Sequence, residues 1–98
     1  MYHSKMESPM VDRLFEALLT LKDLEDYYRF FDDVATVGEI QALAQRLQVA
    51  ELLDKGERYT AIAERTGAST ATISRVNKCL LYGADGYKAA IARLKKQE

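Results

Sequence analysis

The stretch Tyr59–Lys78 constrains the fold more than any other part of the chain, because it has the pattern of two short helices joined at Gly67. Helices commonly end in a residue with a left-handed backbone, and glycine adopts that conformation without a steric cost. The residues just after the glycine are Ser69 and Thr70, either of which can accept a hydrogen bond from the free N–H groups that open the second helix. The local chemistry therefore predicts a sharp turn between helices.

Apolar residues on both sides of this turn fall at helical spacing. Ile62, Ala63 and Thr66 share one face of the first helix, and Ile73 and Val76 share one face of the second. Ala63 is small enough to let the two helices approach each other closely. This register predicts a helix-turn-helix, and the alternative is a plain helical hairpin with a polar outer face.

The remaining face of the second helix is short, polar or basic, and it contains no carboxylate. Its residues are Ser69, Thr70, Ala71, Ser74, Arg75 and Lys78. Small side chains allow a helix to enter the DNA major groove, where Ala71 can contact a thymine methyl group. Arg75 can bind guanine or phosphate, and Lys78 can neutralise phosphate. We therefore predict that these six residues bind DNA.

The distribution of charge favours the same partner, although the chain has a net charge of −1. Residues 1–54 contain five Lys and Arg against eleven Asp and Glu, a net charge of −6. Residues 55–98 contain nine Lys and Arg against four Asp and Glu, a net charge of +5. The basic half carries the helix-turn-helix. Lys55, Arg58 and Lys88 are the further predicted phosphate contacts.

Length and composition predict one all-α domain. Ninety-eight residues suit a single domain, Pro9 is the only proline, and strong helix formers dominate. The predicted segments are a flexible arm at 1–8, dimerisation helices at 9–55, the helix-turn-helix at 58–81 and a C-terminal helix at 85–96. A chain of this size buries a modest fraction of its surface, so association is a natural way to bury more.

Capping residues mark the predicted helix ends. Ser8 before Pro9 opens the first helix, and Asp23 opens a second helix through Phe31, with Asp32-Asp33 as its stop. Thr36 and Glu39 form a capping box for the longest helix, which ends at Lys55.

The apolar stripes predict which faces are buried. The expected stripe of the longest helix is Ile40, Leu43, Ala44, Leu47, Ala50 and Leu53. Leu80, Leu81 and Tyr82 are expected to close the helix-turn-helix onto the core, with Cys79 packing inward. Asp85 is expected to cap a last helix with Tyr87, Ala90, Ile91 and Leu94 on its apolar face.

Enzymatic and metal-binding functions have no support in the sequence. The lone His3 and lone Cys79 supply neither a catalytic arrangement nor metal-ligand spacing, so we predict neither an enzyme nor a cofactor. A single cysteine suits the reducing cytoplasm. No apolar run approaches the roughly 20 residues of a membrane span, and Met1–Ser8 is too short and polar for a signal peptide.

Three stretches resemble the tryptophan repressor family: residues 39–47 (EIQALAQRL), 51–56 (ELLDKG) and 67–75 (GASTATISR). Residues 21–33 (LKDLEDYYRFFDD) and 69–80 (STATISRVNKCL) are similar to its YerC/YecD group in Gram-positive bacteria. The resemblance covers nearly the whole chain after its first residues. It implies a six-helix subunit in an intertwined homodimer that binds operator DNA.

The resemblance also implies a partial effector pocket between the long helix and the second helix of the motif. Arg46, Thr72 and Arg75 match residues of the family that contact tryptophan, and the alternative is that the two arginines are ordinary surface or DNA-facing residues. Val76 stands where the family has glycine, and Cys79 stands where it has serine. Because Val76 adds bulk where a ligand would fit, we predict that tryptophan is not the effector, and that the effector is a smaller molecule or does not exist.

These observations predict a sequence-specific transcriptional regulator, a repressor, that acts as a homodimer on an inverted repeat. The alternative is a protein-interaction module that retains the fold without specific DNA binding, with its acidic N-terminal half docking a basic partner.

Overall fold

The computed structural model describes the whole chain, Met1–Glu98, as six helices without a strand. They are α1 (Pro9–Leu19), α2 (Leu24–Val34), α3 (Val37–Asp54), α4 (Tyr59–Thr66), α5 (Thr70–Tyr82) and α6 (Gly86–Lys96). The residues form two compact units, Met1–Val37 and Gly38–Glu98. The all-α prediction is confirmed.

Both helices of the first unit begin at the capping residues that the sequence indicates. The Ser8 hydroxyl accepts a hydrogen bond from the backbone N–H of Val11, and the Asp23 carboxylate accepts one from that of Asp26. The prediction that Asp32-Asp33 stops α2 is wrong, because the helix continues to Val34. Aspartate disfavours a helix interior only weakly, so two of them do not end a helix that other contacts support.

Neither α1 nor α2 contains a buried residue. Leu19, Leu24 and Tyr28 are 84%, 77% and 70% exposed. The rings of Phe30 and Phe31 make an edge-to-face contact with centroids 5.5 Å apart, and both are half-buried. The first unit therefore leaves an unusual amount of large apolar surface uncovered.

The second unit contains the hydrophobic core, to which α3, α4, α5, α6 and the turn of the motif all contribute. Its buried residues are Val49, Ala50, Leu52, Ile62, Ala68, Ile73, Val76, Leu80 and Ile91. The predicted stripe of α3 is only partly correct. Val49 and Leu52 were not part of it but are buried, whereas Leu43 is 55% exposed. Apolar residues occur on several sides of α3, so spacing alone does not select the face that packs.

The end of α5 also differs from the prediction. Leu80 is buried, but Leu81 and Tyr82 are 53% and 82% exposed, so only the first closes onto the core. Cys79 is exposed as well, which overturns the expectation that it packs inward. The buried face of α5 consists of Ile73, Val76 and Leu80. The remaining residues of this end, Cys79, Leu81 and Tyr82, lie outside that face.

The C-terminal helix α6 packs against α5 and is tied to the end of α3. Lys95 Nζ lies 2.6 Å from Asp54 Oδ2, and this hydrogen bond raises the pKa of the Lys95 ammonium. Asp85 occupies the N-cap position, but its side chain accepts no capping hydrogen bond. Its backbone is left-handed, with φ at 66°, rather than the extended conformation usual for a side-chain cap, which corrects the prediction.

Candidate nucleic-acid interface

The turn between α4 and α5 is built from hydrogen bonds within four residues. Gly67 has a φ of 74°, as predicted, and its N–H donates to the Ala63 carbonyl at 2.9 Å. The Thr66 hydroxyl donates to the Ile62 carbonyl at 2.7 Å and accepts from the backbone N–H of Ala68 at 3.1 Å. A Cβ at position 67 would meet nothing within 4 Å, so the positive φ is the reason for glycine.

Helix α5 begins immediately after this turn. Ser69 is its N-cap, and the hydroxyl accepts from the backbone N–H of Thr72 at 3.1 Å. The same hydroxyl donates to the Thr72 hydroxyl at 3.1 Å. No acidic residue lies in the first turn of α5. Apart from the Thr72 N–H that Ser69 caps, this end therefore presents free backbone N–H groups and the positive end of the helix dipole, both of which suit an anion such as phosphate.

The solvent-facing side of α5, which we call the reading face, keeps the composition that the sequence predicts. Thr70, Ala71, Ser74, Arg75 and Lys78 are all exposed. The opposite side supplies three core residues, so the reading face is held on a packed helix. An α-helix with its side chains is about 10–12 Å across, which matches the roughly 12 Å width of the DNA major groove. The geometry suits insertion of α5 into that groove.

Basic side chains lie on both sides of the motif in the sequence. Lys55 and Arg58 are exposed in the connection between α3 and α4, and Lys88 is exposed on the first turn of α6. Lys88 Nζ is 3.9 Å from Asp85 Oδ1. Arg65, which the sequence did not single out, binds both carboxylate oxygens of Glu57 at 2.8 and 2.7 Å. Arg65 therefore ties the connection to α4.

The residues predicted for an effector pocket have different environments. Arg46 and Arg75 are exposed, whereas Thr72 is half-buried and engaged with Ser69. Val76 is only 3% exposed and belongs to the core. An isopropyl group thus already occupies packed space at this position of α5.

Tyr87 of α6, which the sequence did not identify as part of a site, is half-buried and packs against the hydrophobic core. Burial raises the pKa of the Tyr87 hydroxyl, the nearby Cys79 thiol raises it further, and the Arg46 guanidinium acts in the opposite direction. Tyr87 stays neutral at physiological pH.

No cluster of three or more His, Cys, Asp and Glu side chains is arranged to hold a metal ion. None of the six helices combines the length and apolar character that a membrane crossing requires.

Known proteins resemble this chain over nearly its full length. Residues 10–95 match the family described as Trp repressor protein. The uncharacterised protein YerC of Bacillus subtilis (strain 168) is 55% identical over 94 residues, which are 96% of this chain and 90% of that protein. A crystal structure of a TrpR-like protein from Eubacterium eligens ATCC 27750 superposes with a TM-score of 0.89 at 53% identity, covering 93% and 94% of the two chains. These matches confirm the resemblance and the fold: the chain belongs to the Trp repressor family.

Proposed function

We propose that the protein is a DNA-binding transcriptional repressor whose helix α5 reads the major groove. The observation that carries the proposal is the reading face, which is exposed, short, hydroxyl-rich and basic, and free of carboxylates over the length of α5. A helix that contacted another protein would have no need to exclude acidic residues. Membership of a family named for a repressor supports the same function.

The proposed active form is a homodimer that binds an inverted repeat. Large exposed apolar side chains on α1 and α2 support association of two copies. Two copies of α5 related by a two-fold axis would enter successive major grooves roughly 34 Å apart. Symmetry then requires two half-sites in opposite orientation.

The proposed phosphate contacts predict a strong dependence of duplex affinity on salt. Lys55, Arg58, Lys78 and Lys88 would supply four contacts per subunit. Eight contacts per dimer lower the affinity by about 10³–10⁵ between about 50 and 200 mM salt. Titration of a labelled duplex at several salt concentrations measures this slope.

Variants that neutralise single lysines identify which of them contribute to this salt dependence. Lys55→Gln should make the slope shallower by about two per dimer, whereas Lys22→Gln, at an exposed lysine between α1 and α2, should leave it unchanged. An equal effect of both substitutions would contradict a specific contact at Lys55.

We further propose that tryptophan is not an effector, because Val76 is packed in the core where a ligand would need space. Duplexes should be selected by the purified protein from a fragmented genomic library, with and without added tryptophan, and sequenced. We expect the same inverted repeat to be enriched in both arms. Enrichment that required tryptophan would refute the interpretation of Val76, and an absence of enrichment in both arms would count against a DNA reader.

An interaction module is the second candidate function, and one observation favours it. Residues 1–54 carry the net charge of −6, and their helices α1 and α2 expose aromatic side chains such as Tyr28. Such a surface suits a basic protein partner. Complete absence of salt-dependent duplex binding would favour this function over the first.

A further inference from the structure

Gln45 is a half-buried polar residue in the middle of α3, and it contacts the turn of the helix-turn-helix. Its Nε2 atom donates to the Thr66 carbonyl at 3.1 Å, across a sequence separation of 21 residues. Thr66 is the last residue of α4. Its carbonyl is one of the four at a helix C-terminus that lack a partner within the helix. A side chain of α3 therefore completes the end of α4.

This bond lies next to the residues that set the start of α5. From Thr66 the chain passes through the left-handed Gly67 and the buried Ala68 to Ser69, the N-cap of α5. The Thr66 hydroxyl binds Ile62 and Ala68 within the motif. Gln45 binds the Thr66 carbonyl from outside the motif. A shift of the Thr66 carbonyl would move the first turn of α5, which carries part of the reading face.

We propose that Gln45 is a positioning residue for DNA recognition, which fixes the turn between α4 and α5 and so holds α5 at the angle needed for the groove. It reaches neither base nor phosphate in this role. Its effect on duplex affinity rests on the proposed function of α5, whereas its effect on the turn does not.

The test replaces Gln45 by methionine, which has a similar length but no N–H donor. Hydrogen exchange of the Gly67 and Ala68 amides should become about tenfold faster, in line with the loss of one hydrogen bond. Exchange in the core, at the amide of Ala50, should stay unchanged, which separates an effect on the turn from general destabilisation.

Duplex affinity is measured on the same variant. Specific binding should fall about tenfold, the equivalent of an ordinary hydrogen bond, while binding to a random duplex stays the same. Gln45→Lys restores a donor of comparable reach. It should restore most of the protection of the Gly67 and Ala68 amides and most of the specific affinity. Gln48→Met makes the same change at an exposed position of α3 and should alter neither readout.

The outcomes separate the two proposals. Unchanged exchange at Gly67 and Ala68 in Gln45→Met, or an equal change in Gln48→Met, would overturn the role of Gln45. Faster exchange at the turn with unchanged specific affinity would also overturn it, because the turn would then not govern recognition. If the parent binds no duplex, the proposed function fails, and the exchange rates alone decide whether Gln45 fixes the turn.

Discussion

Replacing Ser74 by glutamate is expected to reduce duplex affinity by at least about 100-fold, because like charges brought together at an interface cost several kcal/mol. Ser74 lies in the middle of the exposed reading face, between the first turn of α5 and Lys78. A carboxylate there would face the phosphates that border the groove. Each dimer would carry two such carboxylates. Fluorescence anisotropy with a duplex from the genomic selection measures the loss.

The substitution should leave the fold intact. Ser74 is exposed, and glutamate has a higher helix propensity than serine. The thermal midpoint by circular dichroism should therefore change little. Ser74→Ala removes the hydroxyl without adding charge and should weaken binding only modestly. Gln48→Glu adds the same charge at an exposed position of α3 and should leave affinity nearly unchanged. Full binding by Ser74→Glu would mean that α5 is not the reading helix.

The turn of the motif could be predicted from sequence because its chemistry is local. The left-handed backbone after α4 favours glycine at position 67. The unpaired N–H groups at the start of α5 favour a capping residue such as Ser69. Ile62, Ile73 and Val76 are buried as their spacing indicated, since short helices with one apolar face leave one way to pack. These features depend on residues within one short stretch of the chain, which a sequence displays directly.

Other features depend on contacts that are distant in the chain. The buried face of α3 includes Val49 and Leu52 rather than Leu43, because the packing of three other helices selects among several apolar sides. Gln45 resembles any polar residue of an amphipathic helix until its partner, 21 residues away, is known. Asp85 has the residue type of a cap, but its left-handed backbone directs the side chain elsewhere. Tertiary contacts therefore decide the buried face of α3 and the role of Gln45, whereas the backbone conformation decides the outcome at Asp85.

The exposed apolar surface of α1 and α2 leads to the second large effect, on assembly. We expect the parent protein to sediment with twice the chain mass of 11.1 kDa. Leu19 and Leu24 are largely exposed in the single chain, so an isolated subunit loses little when they become glutamates. A dimer that buries them would have to desolvate four carboxylates, each at a cost of several kcal/mol. The double variant should therefore raise the dimer dissociation constant by at least about 1,000-fold, the equivalent of roughly 4 kcal/mol.

Sedimentation equilibrium of the parent and the double variant over a range of concentrations measures this change. Lys22→Glu lies between the two leucines in the sequence and makes the same change of net charge as the double variant, yet it should leave the dimer intact because Lys22 is a solvated polar residue. Dissociation with retained helical circular dichroism would place the dimer interface on α1 and α2. A parent that sediments as a single chain at tens of micromolar would refute the homodimer, and recognition of an inverted repeat would then need two independent subunits. If Lys22→Glu raised the dimer dissociation constant as much as the double variant does, general electrostatic repulsion between acidic N-terminal halves would be indicated instead. An apolar interface would be disrupted by a charge at a buried leucine but not by one at a solvated lysine.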